Sequence, residues 1–146
     1  MEIAILALGC FWGPEIKFSK LDGIIKTEVG YCGGNTSETT YKEVCTGTTN
    51  HAEVVKLDFD PKIISYEEIL KYFFKIHDPT TLNSQGPDFG TQYRSEIFYL
   101  NDNQKRIAEK VLNEMNEKLS GRVVTKITLL NNYCTAEEYH QKYLEK

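Results

Sequence analysis

The sequence has no surplus of basic residues and no long hydrophobic run. Its 17 Lys and Arg residues are outnumbered by 21 Asp and Glu residues, and the formal net charge is −4 at pH 7. This balance argues against nucleic acid or an anionic membrane as a partner. No apolar stretch approaches transmembrane length, and Glu2 stands where a signal peptide would have basic residues. We therefore expect neither a membrane span nor a signal peptide.

Sequence signals for disulfides, zinc and nucleotides are also missing. The four cysteines form no C-x-x-C pair, and the His51-Ala52-Glu53 stretch lacks the spacing of metal ligands. The glycine-rich pieces match neither G-x-G-x-x-G nor a phosphate-binding loop. Without an export signal, the cysteines are expected to stay reduced in the cytoplasm. The sequence thus predicts a cytoplasmic protein with no disulfide framework, no metal site and no nucleotide motif.

The length and the hydrophobic pattern predict one layered domain. A chain of 146 residues that is 40% hydrophobic is long enough for one core, so we expect one domain over residues 1–146. Strands alternate with helices, which predicts an α/β or α+β fold with helices packed on one mixed sheet. The predicted strands span residues 3–8, 24–31, 54–60, 94–100 and 123–130. The predicted helices span residues 14–21, 65–78, 102–121 and 135–144, the last starting at a capping box.

The stretch after the first strand contains the best candidate nucleophile. Residues 3–8 are all apolar, which predicts a strand buried on both faces. Gly13 and Pro14 then suit the start of a helix, so Cys10 is expected just before a helix N-terminus. The helix dipole favours an anion there, and the Cys10 thiol should lose its proton more readily than a free cysteine. The alternative is a buried structural cysteine among core aromatics.

Side chains that could assist this thiol occur in the predicted β-strands and loops. Phe11 and Trp12, the only tryptophan, could form an apolar pocket beside the sulfur. Glu53 falls on the apolar side of the strand over residues 54–60, where burial would keep its carboxyl protonated and able to donate a proton. An ordinary solvated carboxylate is the alternative. Hydroxyl and carboxyl groups that could converge over the sheet edge lie in the loops, at Tyr41, Asp88 and Tyr93.

Six short stretches, in one order along nearly the whole chain, are similar to motifs of the peptide methionine sulfoxide reductases of the A type. They are Gly9-Cys10-Phe11-Trp12-Gly13, Val29-Gly30-Tyr31 with Gly33-Gly34, His51-Ala52-Glu53-Val54, His77-Asp78-Pro79-Thr80, Gly90-Thr91-Gln92-Tyr93-Arg94-Ser95 and Ala136-Glu137-Glu138-Tyr139-His140-Gln141. Each match alone is weak. Together, and in the family's order, they make the resemblance specific.

The resemblance implies a mixed-sheet α/β fold and reduction of the S epimer of methionine sulfoxide, free or in proteins, with no metal or bound organic cofactor. It implies that Cys10 is the nucleophile and becomes a sulfenic acid, and that Glu53 is the acid. It further implies that Phe11 and Trp12 receive the substrate methyl group. The family positions that line the sulfoxide site are matched by Tyr41, Asp88 and Tyr93.

Two departures from the family pattern lead to further expectations. Asn50 stands where relatives usually have glycine, and asparagine tolerates a left-handed backbone well enough for that turn to form. Many relatives continue into a tail with resolving cysteines, whereas this sequence ends at Lys146. We therefore expect a one-cysteine cycle, in which an external thiol from glutathione with glutaredoxin, or from thioredoxin, attacks the Cys10 sulfenic acid. Cys134 is the alternative internal resolver, and Cys45 is interpreted as structural.

Two other functions remain open at this point. One is a Cys-His hydrolase that uses one of the three histidines as a base for Cys10. The other is a binding module that uses the pocket of Phe11 and Trp12 for a methyl group without turnover. Hydrolysis of an ester or amide would favour the first, and saturable binding without product would favour the second.

Overall fold

A six-stranded mixed sheet is the central feature of the computed structural model, which describes residues 1–145. The strands are β1 (Glu2–Leu8), β2 (Ile24–Cys32), β3 (Ala52–Phe59), β4 (Ser84–Gln85), β5 (Asp88–Phe89), β6 (Ser95–Tyr99), β7 (Lys126–Leu129) and β8 (Cys134–Thr135). The helices are α1 (Trp12–Ser19), α2 (Tyr41–Cys45), α3 (Tyr66–Lys75) and α4 (Asp102–Lys118). Short 3-10 turns span Thr91–Tyr93, Glu138–His140 and Tyr143–Glu145.

The strand order in the sheet is β7-β6-β1-β3-β2-β8. β1 is antiparallel to its neighbours β3 and β6, and β2 is antiparallel to β3 and β8. β6 and β7 are parallel, which makes the sheet mixed, and β4 pairs with β5 in a separate hairpin. The predicted mixed-sheet α/β class is confirmed. Within residues 1–145, no helix is both long and apolar enough to cross a membrane.

The central strands contribute side chains to cores on both faces of the sheet. In β1, Ala4 and Leu6 pack into the larger core beneath the helices, whereas Ile5 and Ala7 pack into a smaller cluster on the opposite face. The prediction of a strand buried on both faces is therefore confirmed. The run has no polar alternation because neither face of this strand meets water.

The side chains of β3 alternate as its sequence predicts. Val55 and Leu57 belong to the core on the helix side, and Val54 belongs to the opposite cluster. Glu53 shares the parity of the helix-side residues and pairs in register with Tyr31 of β2. The alternation of β3 thus places a carboxyl group on the same face as the larger core.

The predicted terminal helix over residues 135–144 is wrong. Thr135 lies in β8, and only 3-10 turns follow it within the described residues. The Thr135 hydroxyl donates to Glu28 rather than capping a helix, and the Gln141 side chain bonds both backbone groups of Val29. These long-range contacts outweigh the local capping preference, because a short isolated helix is only marginally stable.

Candidate active site

Cys10 follows a tight turn at the end of β1. Gly9 in this turn has φ of 98°, a left-handed conformation that disfavours other residues. A Cβ atom at Gly9 would also lie only 2.9 Å from Cβ of Gln85, in the β4–β5 hairpin. The glycine thus lets the hairpin approach the turn closely, and the turn directs the chain from the sheet into α1 beside Cys10.

The helix after Cys10 begins earlier than predicted, and its effect on the thiol is smaller than expected. α1 starts at Trp12 with Phe11 as its N-cap residue, so Gly13 and Pro14 lie inside the first turn. Burial raises the pKa of the Cys10 thiol to about 11, although a hydrogen bond from the Trp12 backbone N–H lowers it. The expectation of an easily ionised thiol is therefore wrong for the substrate-free protein. Desolvation outweighs the helix terminus at this half-buried position.

Glu53 is a buried carboxyl group with one unused oxygen. Its side chain is only 1% exposed, and Oε1 accepts the Phe11 backbone N–H at 3.3 Å. Oε2 has no hydrogen-bond partner in the part of the chain that the structure describes. Burial raises the Glu53 pKa to about 8, and the charge of Asp88 contributes in the same direction. The carboxyl therefore keeps its proton at neutral pH, and because Oε1 is an acceptor, the proton resides on Oε2.

Three residues predicted to lie in loops are close to this carboxyl, although Tyr41 begins α2, Asp88 lies in β5 and Tyr93 ends a 3-10 turn. The hydroxyl groups of Tyr41 and Tyr93 contact each other, and burial and the charge of Glu53 raise the pKa of both tyrosines. They therefore remain neutral hydrogen-bond donors. Asp88 in β5 lies close enough for its charge to raise the pKa of Cys10 as well as that of Glu53. The structure thus brings together the polar residues that the sequence analysis selected from separate segments.

The two aromatic residues after Cys10 differ in burial. Phe11 is 1% exposed and packs against Tyr31 and His140, with ring centroids 5.8 Å and 5.2 Å away. Trp12 is half-buried and stacks on Tyr143 at 3.8 Å. Its indole N–H donates to Nδ1 of His140 at 3.1 Å. Phe11 is thus a core residue, and Trp12 is a half-buried aromatic residue two positions after the thiol.

The C-terminal segment supports the site in a way that the sequence analysis missed. Glu137 accepts the Tyr31 hydroxyl at 2.8 Å and the Tyr41 backbone N–H at 2.9 Å, which ties the start of α2 to the sheet. His140 is 2% exposed and contacts the ring of Tyr41, with centroids 4.5 Å apart. The family motif matched by residues 136–141 could have indicated that Glu137 and His140 belong to the site. The helix predicted over residues 135–144 did not suggest these contacts.

His51 holds the turn that leads into β3. Its Nδ1 accepts the Gly34 backbone N–H at 3.1 Å, and its Nε2 donates to the Thr36 carbonyl at 2.8 Å. Asn50 just before it has φ of 58°, so the expected left-handed turn is confirmed. Both nitrogens of this histidine are thus engaged by backbone, and the turn fixes where β3 begins.

The other histidines also have structural contacts. His77 donates to the Phe73 carbonyl at 2.6 Å and accepts from the Ser95 hydroxyl at 2.8 Å. Burial lowers its pKa to about 4, so it stays neutral. The third histidine accepts the indole N–H described above. Each of the three histidines is thus engaged by structural partners, which argues against the Cys-His hydrolase.

All four cysteines are free thiols in the described structure. Cys32 is buried, and the Cys134 sulfur lies 3.8 Å from the Thr39 carbonyl oxygen. Cys45 is exposed, and its thiol contacts the hydroxyl of Tyr41, one helical turn away in α2. The interpretation of Cys45 as a structural cysteine stays a prediction, and its side chain is exposed rather than part of the core.

A cavity of about 450 Å³ lies along β2 and the C-terminal segment. Lysines and glutamates line it, among them Lys26 and Glu28, and none of the residues around Cys10 does. No cysteine lines this cavity, so the chemistry of a thiol beside a buried carboxyl favours the Cys10 site. Among residues 1–145, no group of three or more His, Cys, Asp or Glu side chains is arranged to hold a metal ion.

Comparisons with known proteins agree on one family. A family model described as peptide methionine sulfoxide reductase matches residues 2–146. A protein of Pelagibacter ubique (strain HTCC1062) named peptide methionine sulfoxide reductase MsrA is 80% identical over 146 residues, covering 100% of this chain and 99% of that protein. The crystal structure of Mxr1 from Saccharomyces cerevisiae in reduced form is similar with a TM-score of 0.94 and 43% identity, over 99% of this chain and 84% of that chain. The structure of Mxr1 in complex with Trx2 is similar with a TM-score of 0.70 and 28% identity, over 97% and 84% of the two chains.

Proposed function

The chain belongs to the peptide methionine sulfoxide reductase family, and on that premise we propose that Cys10 attacks the sulfoxide sulfur while Glu53 protonates the sulfoxide oxygen. The enzyme reduces methionine sulfoxide and so repairs oxidised methionine. We propose that it acts on the S epimer, free or in proteins. The observation that supports these roles is a half-buried thiol beside a carboxyl whose pKa is raised to about 8.

The proposed step balances in atoms and electrons. Attack forms a bond between the Cys10 sulfur and the substrate sulfur as the sulfoxide oxygen is protonated. The hydroxyl group then passes to the Cys10 sulfur while the substrate S–O bond and the new S–S bond break, which leaves a sulfenic acid and a thioether. The substrate sulfur is thereby reduced by two electrons and Cys10 is oxidised by two. The proton on Oε2 of Glu53 goes to the sulfoxide oxygen, and the thiol proton of Cys10 then replaces it on Glu53. Because the thiol pKa is about 11, the thiolate is rare without substrate, and attack is coupled to these proton transfers.

The tyrosine pair complements the developing charge. As Cys10 attacks, negative charge grows on the sulfoxide oxygen, and neutral hydroxyls can stabilise it without adding a positive charge to the site. Tyr41 and Tyr93 are such donors, and both lie close enough to feel the charge of Glu53. Asp88 acts on the proton donor rather than on the sulfoxide oxygen. Its charge raises the pKa of Glu53 and helps to keep that acid protonated.

The assay that tests this function uses the separate epimers of methionine sulfoxide with dithiothreitol as reductant. The enzyme is expected to consume only the S epimer and to form methionine. A Cys10→Ser variant, which lacks the thiol, serves as the blank. Consumption of neither epimer would overturn the proposal, and consumption of both would overturn the proposed stereochemistry.

Trp12 is proposed to bind the methyl group of the substrate. Trp12→Ala is therefore expected to raise KM for the free sulfoxide about fivefold, because burying one methyl group contributes about 1 kcal/mol. Steady-state kinetics measure this change, and Trp12→Phe, which keeps a ring, is the matched control. If the alanine variant loses its circular dichroism spectrum, Trp12 is a core residue and the methyl pocket is the wrong interpretation.

We propose that an external thiol returns Cys10 to its reduced form. Thioredoxin is the favoured source, because the related Mxr1 forms a complex with Trx2, and glutathione with glutaredoxin is the second. The exposed Cys45 and the half-buried Cys134 are the internal rivals. A disulfide with either would need Cα atoms within about 7 Å of that of Cys10.

One equivalent of methionine sulfoxide without reductant distinguishes these routes. We expect the loss of one free thiol per chain and a Cys10 that reacts with dimedone, both measured by mass spectrometry. Loss of two thiols with a peptide crosslinked from Cys10 to Cys134, or to Cys45, contradicts the one-cysteine cycle and identifies the resolving residue.

We also propose that residues 1–146 form one domain and that the protein acts in the cytoplasm. The helices pack on one sheet, and the four cysteines are free in the described structure, which suits a reducing compartment. Fractionation of the native cells with detection of the protein by antibody tests the location.

A further inference from the structure

The side chain of Gln85 bonds to both backbone groups of one residue in the loop after α3. Its Oε1 accepts the Asp78 backbone N–H at 3.1 Å, and its Nε2 donates to the Asp78 carbonyl. The same nitrogen also donates to the Thr81 hydroxyl at 3.3 Å. One amide thus pairs with Asp78 as a neighbouring strand would. The proposed mechanism does not use this residue.

The loop that Gln85 binds is itself fixed to the core. His77 directly precedes Asp78 in the chain. Its ring donates to the Phe73 carbonyl of α3 at 2.6 Å and accepts from the Ser95 hydroxyl of β6 at 2.8 Å. The histidine therefore joins a helix to a strand of the central sheet. The backbone at Asp78 is a fixed point to which other segments can be attached.

Gln85 belongs to a hairpin that is too short to keep its own position. β4 and β5 have two residues each, and the two-residue loop between them has glycine first, with φ of 55° at Gly86. The Gly90 backbone N–H closes the base of the hairpin on the Asn83 carbonyl at 2.9 Å. An isolated two-stranded hairpin is only marginally stable in water. The bonds of Gln85 attach this one to the loop after α3.

The face of the hairpin that contains Gln85 also contains Asp88. The two residues are directly opposite each other in the β4–β5 register, so their side chains project from the same face. That face lies on the turn before Cys10, because a Cβ atom at Gly9 would be 2.9 Å from both Cβ and Cγ of Gln85. Asp88 therefore faces the site, and its charge raises the pKa of Cys10 and of Glu53.

We propose that Gln85 is a positioning residue that, by binding Asp78, keeps the Asp88 carboxylate beside the acid of the site. This inference rests on the proposed role of Glu53 as that acid. The interaction energy of two charges falls with the distance between them and with the access of water. A hairpin free to move would carry Asp88 away from Glu53 for part of the time. The bonds of Gln85 keep this distance short before substrate arrives.

Asp88 supplies the charge that acts on Glu53, whereas the other groups near this acid are neutral. Among residues 1–145, the other titratable groups that interact with Glu53 are one thiol and three phenols, those of Cys10, Tyr31, Tyr41 and Tyr93. Burial raises the pKa of all four, so they keep their protons at neutral pH. A change in the position of Asp88 should therefore appear directly in the titration of Glu53.

Titration of Glu53 in the intact protein tests the inference. Gln85→Met keeps the length and the apolar stem of the side chain but removes both bonds to Asp78. Carboxyl ¹³C shifts of protein labelled at glutamate give the midpoint of Glu53, which is assigned by its absence from Glu53→Gln. We expect the native midpoint near pH 8. The Gln85→Met midpoint should lie about 0.5 lower on the pH scale, and an unchanged midpoint overturns the inference.

A second background shows whether the effect passes through Asp88. Asp88→Asn removes the charge and should by itself lower the Glu53 midpoint. If Gln85 acts by placing that charge, Gln85→Met should have no further effect on the midpoint in Asp88→Asn protein. An equal fall in both backgrounds would mean that Gln85 alters the burial of Glu53 instead, which overturns the inference.

Gln104→Ala is the matched control for the loss of a structural glutamine. The Gln104 amide likewise bonds two backbone groups, the Leu100 N–H at 3.0 Å and the Ile3 carbonyl at 2.7 Å, at the opposite end of β1 from Cys10. Its loss should leave the Glu53 midpoint unchanged. If Gln85→Met does not fold, the native side chain decides. A Gln85 amide with an ¹⁵N order parameter near 0.85 supports the inference, and one below about 0.6 overturns it.

The single-turnover rate separates this inference from the function on which it rests. If Glu53 is the acid, the alkaline limb of the rate in Gln85→Met should move to lower pH together with the Glu53 midpoint. A midpoint that moves without the rate profile supports the positioning role and overturns the role of Glu53 as proton donor. A rate profile that moves while the midpoint stays constant overturns the positioning role of Gln85.

Discussion

Glu53→Gln is expected to slow the reduction of methionine sulfoxide about 100-fold in a single turnover, the lower end of what a positioned general acid contributes. Glutamine keeps the size of the side chain and an oxygen that can accept the Phe11 N–H, which Oε1 accepts in the native protein at 3.3 Å. It removes the transferable proton from the position of Oε2. The chemical step should therefore suffer much more than binding.

The measurement is methionine formed per enzyme after rapid mixing with excess sulfoxide and no reductant. Single turnover excludes the rate of Cys10 recycling from the result. Glu109→Gln, an exposed glutamate in α4, is the matched control and should leave the rate unchanged. A wild-type rate in Glu53→Gln would show that water or a tyrosine supplies the proton. Loss of substrate binding, measured as a raised KM at unchanged rate, would show instead that Glu53 only orients the sulfoxide.

The sequence predicts those features of the site that depend only on residues adjacent in the chain. The turn at Cys10 and the parity of Glu53 depend on residues next to one another, and the structure agrees with both. The β3 alternation of Val55 and Leu57 is enough to place the carboxyl on the buried side, because the side-chain period of a strand is two. Burial then raises its pKa, as expected for a desolvated acid.

The features that sequence reasoning could not supply depend on distant contacts. The ionisation of Cys10 was misjudged because its burial, and the nearness of Glu53 and Asp88, come from other strands and loops. The C-terminal segment was predicted to be a helix because the Thr135–Glu138 spacing suits a cap. Its actual partners lie more than 90 residues earlier, where Glu137 accepts from Tyr41. A local pattern contains no information about such partners.

The raised pKa of Glu53 also has a consequence for stability. Its ordinary value is 4.5 and its value in the folded protein is about 8. A group whose folded pKa is raised contributes stability that is fully present below the unfolded pKa and is lost as the pH rises through the folded pKa. The folded protein keeps the Glu53 proton across this interval while the unfolded chain releases it. The contribution of Glu53 to the free energy of unfolding should therefore decrease progressively from about pH 4.5 to about pH 8.

We accordingly expect the free energy of unfolding of wild type, relative to Glu53→Gln, to fall by about 4 kcal/mol between about pH 5 and about pH 8.5. Urea unfolding followed by circular dichroism at the two pH values gives the free energy of unfolding of each protein, with reductant present to protect the thiols. Other titrating groups, such as the neutral and partly buried His77, are common to both proteins and cancel in the difference. The exposed Glu109→Gln should show no such pH-dependent gap. A gap that stays constant across this range would mean that Glu53 ionises near its ordinary pKa in the folded protein, and it could not then be the proton donor at neutral pH.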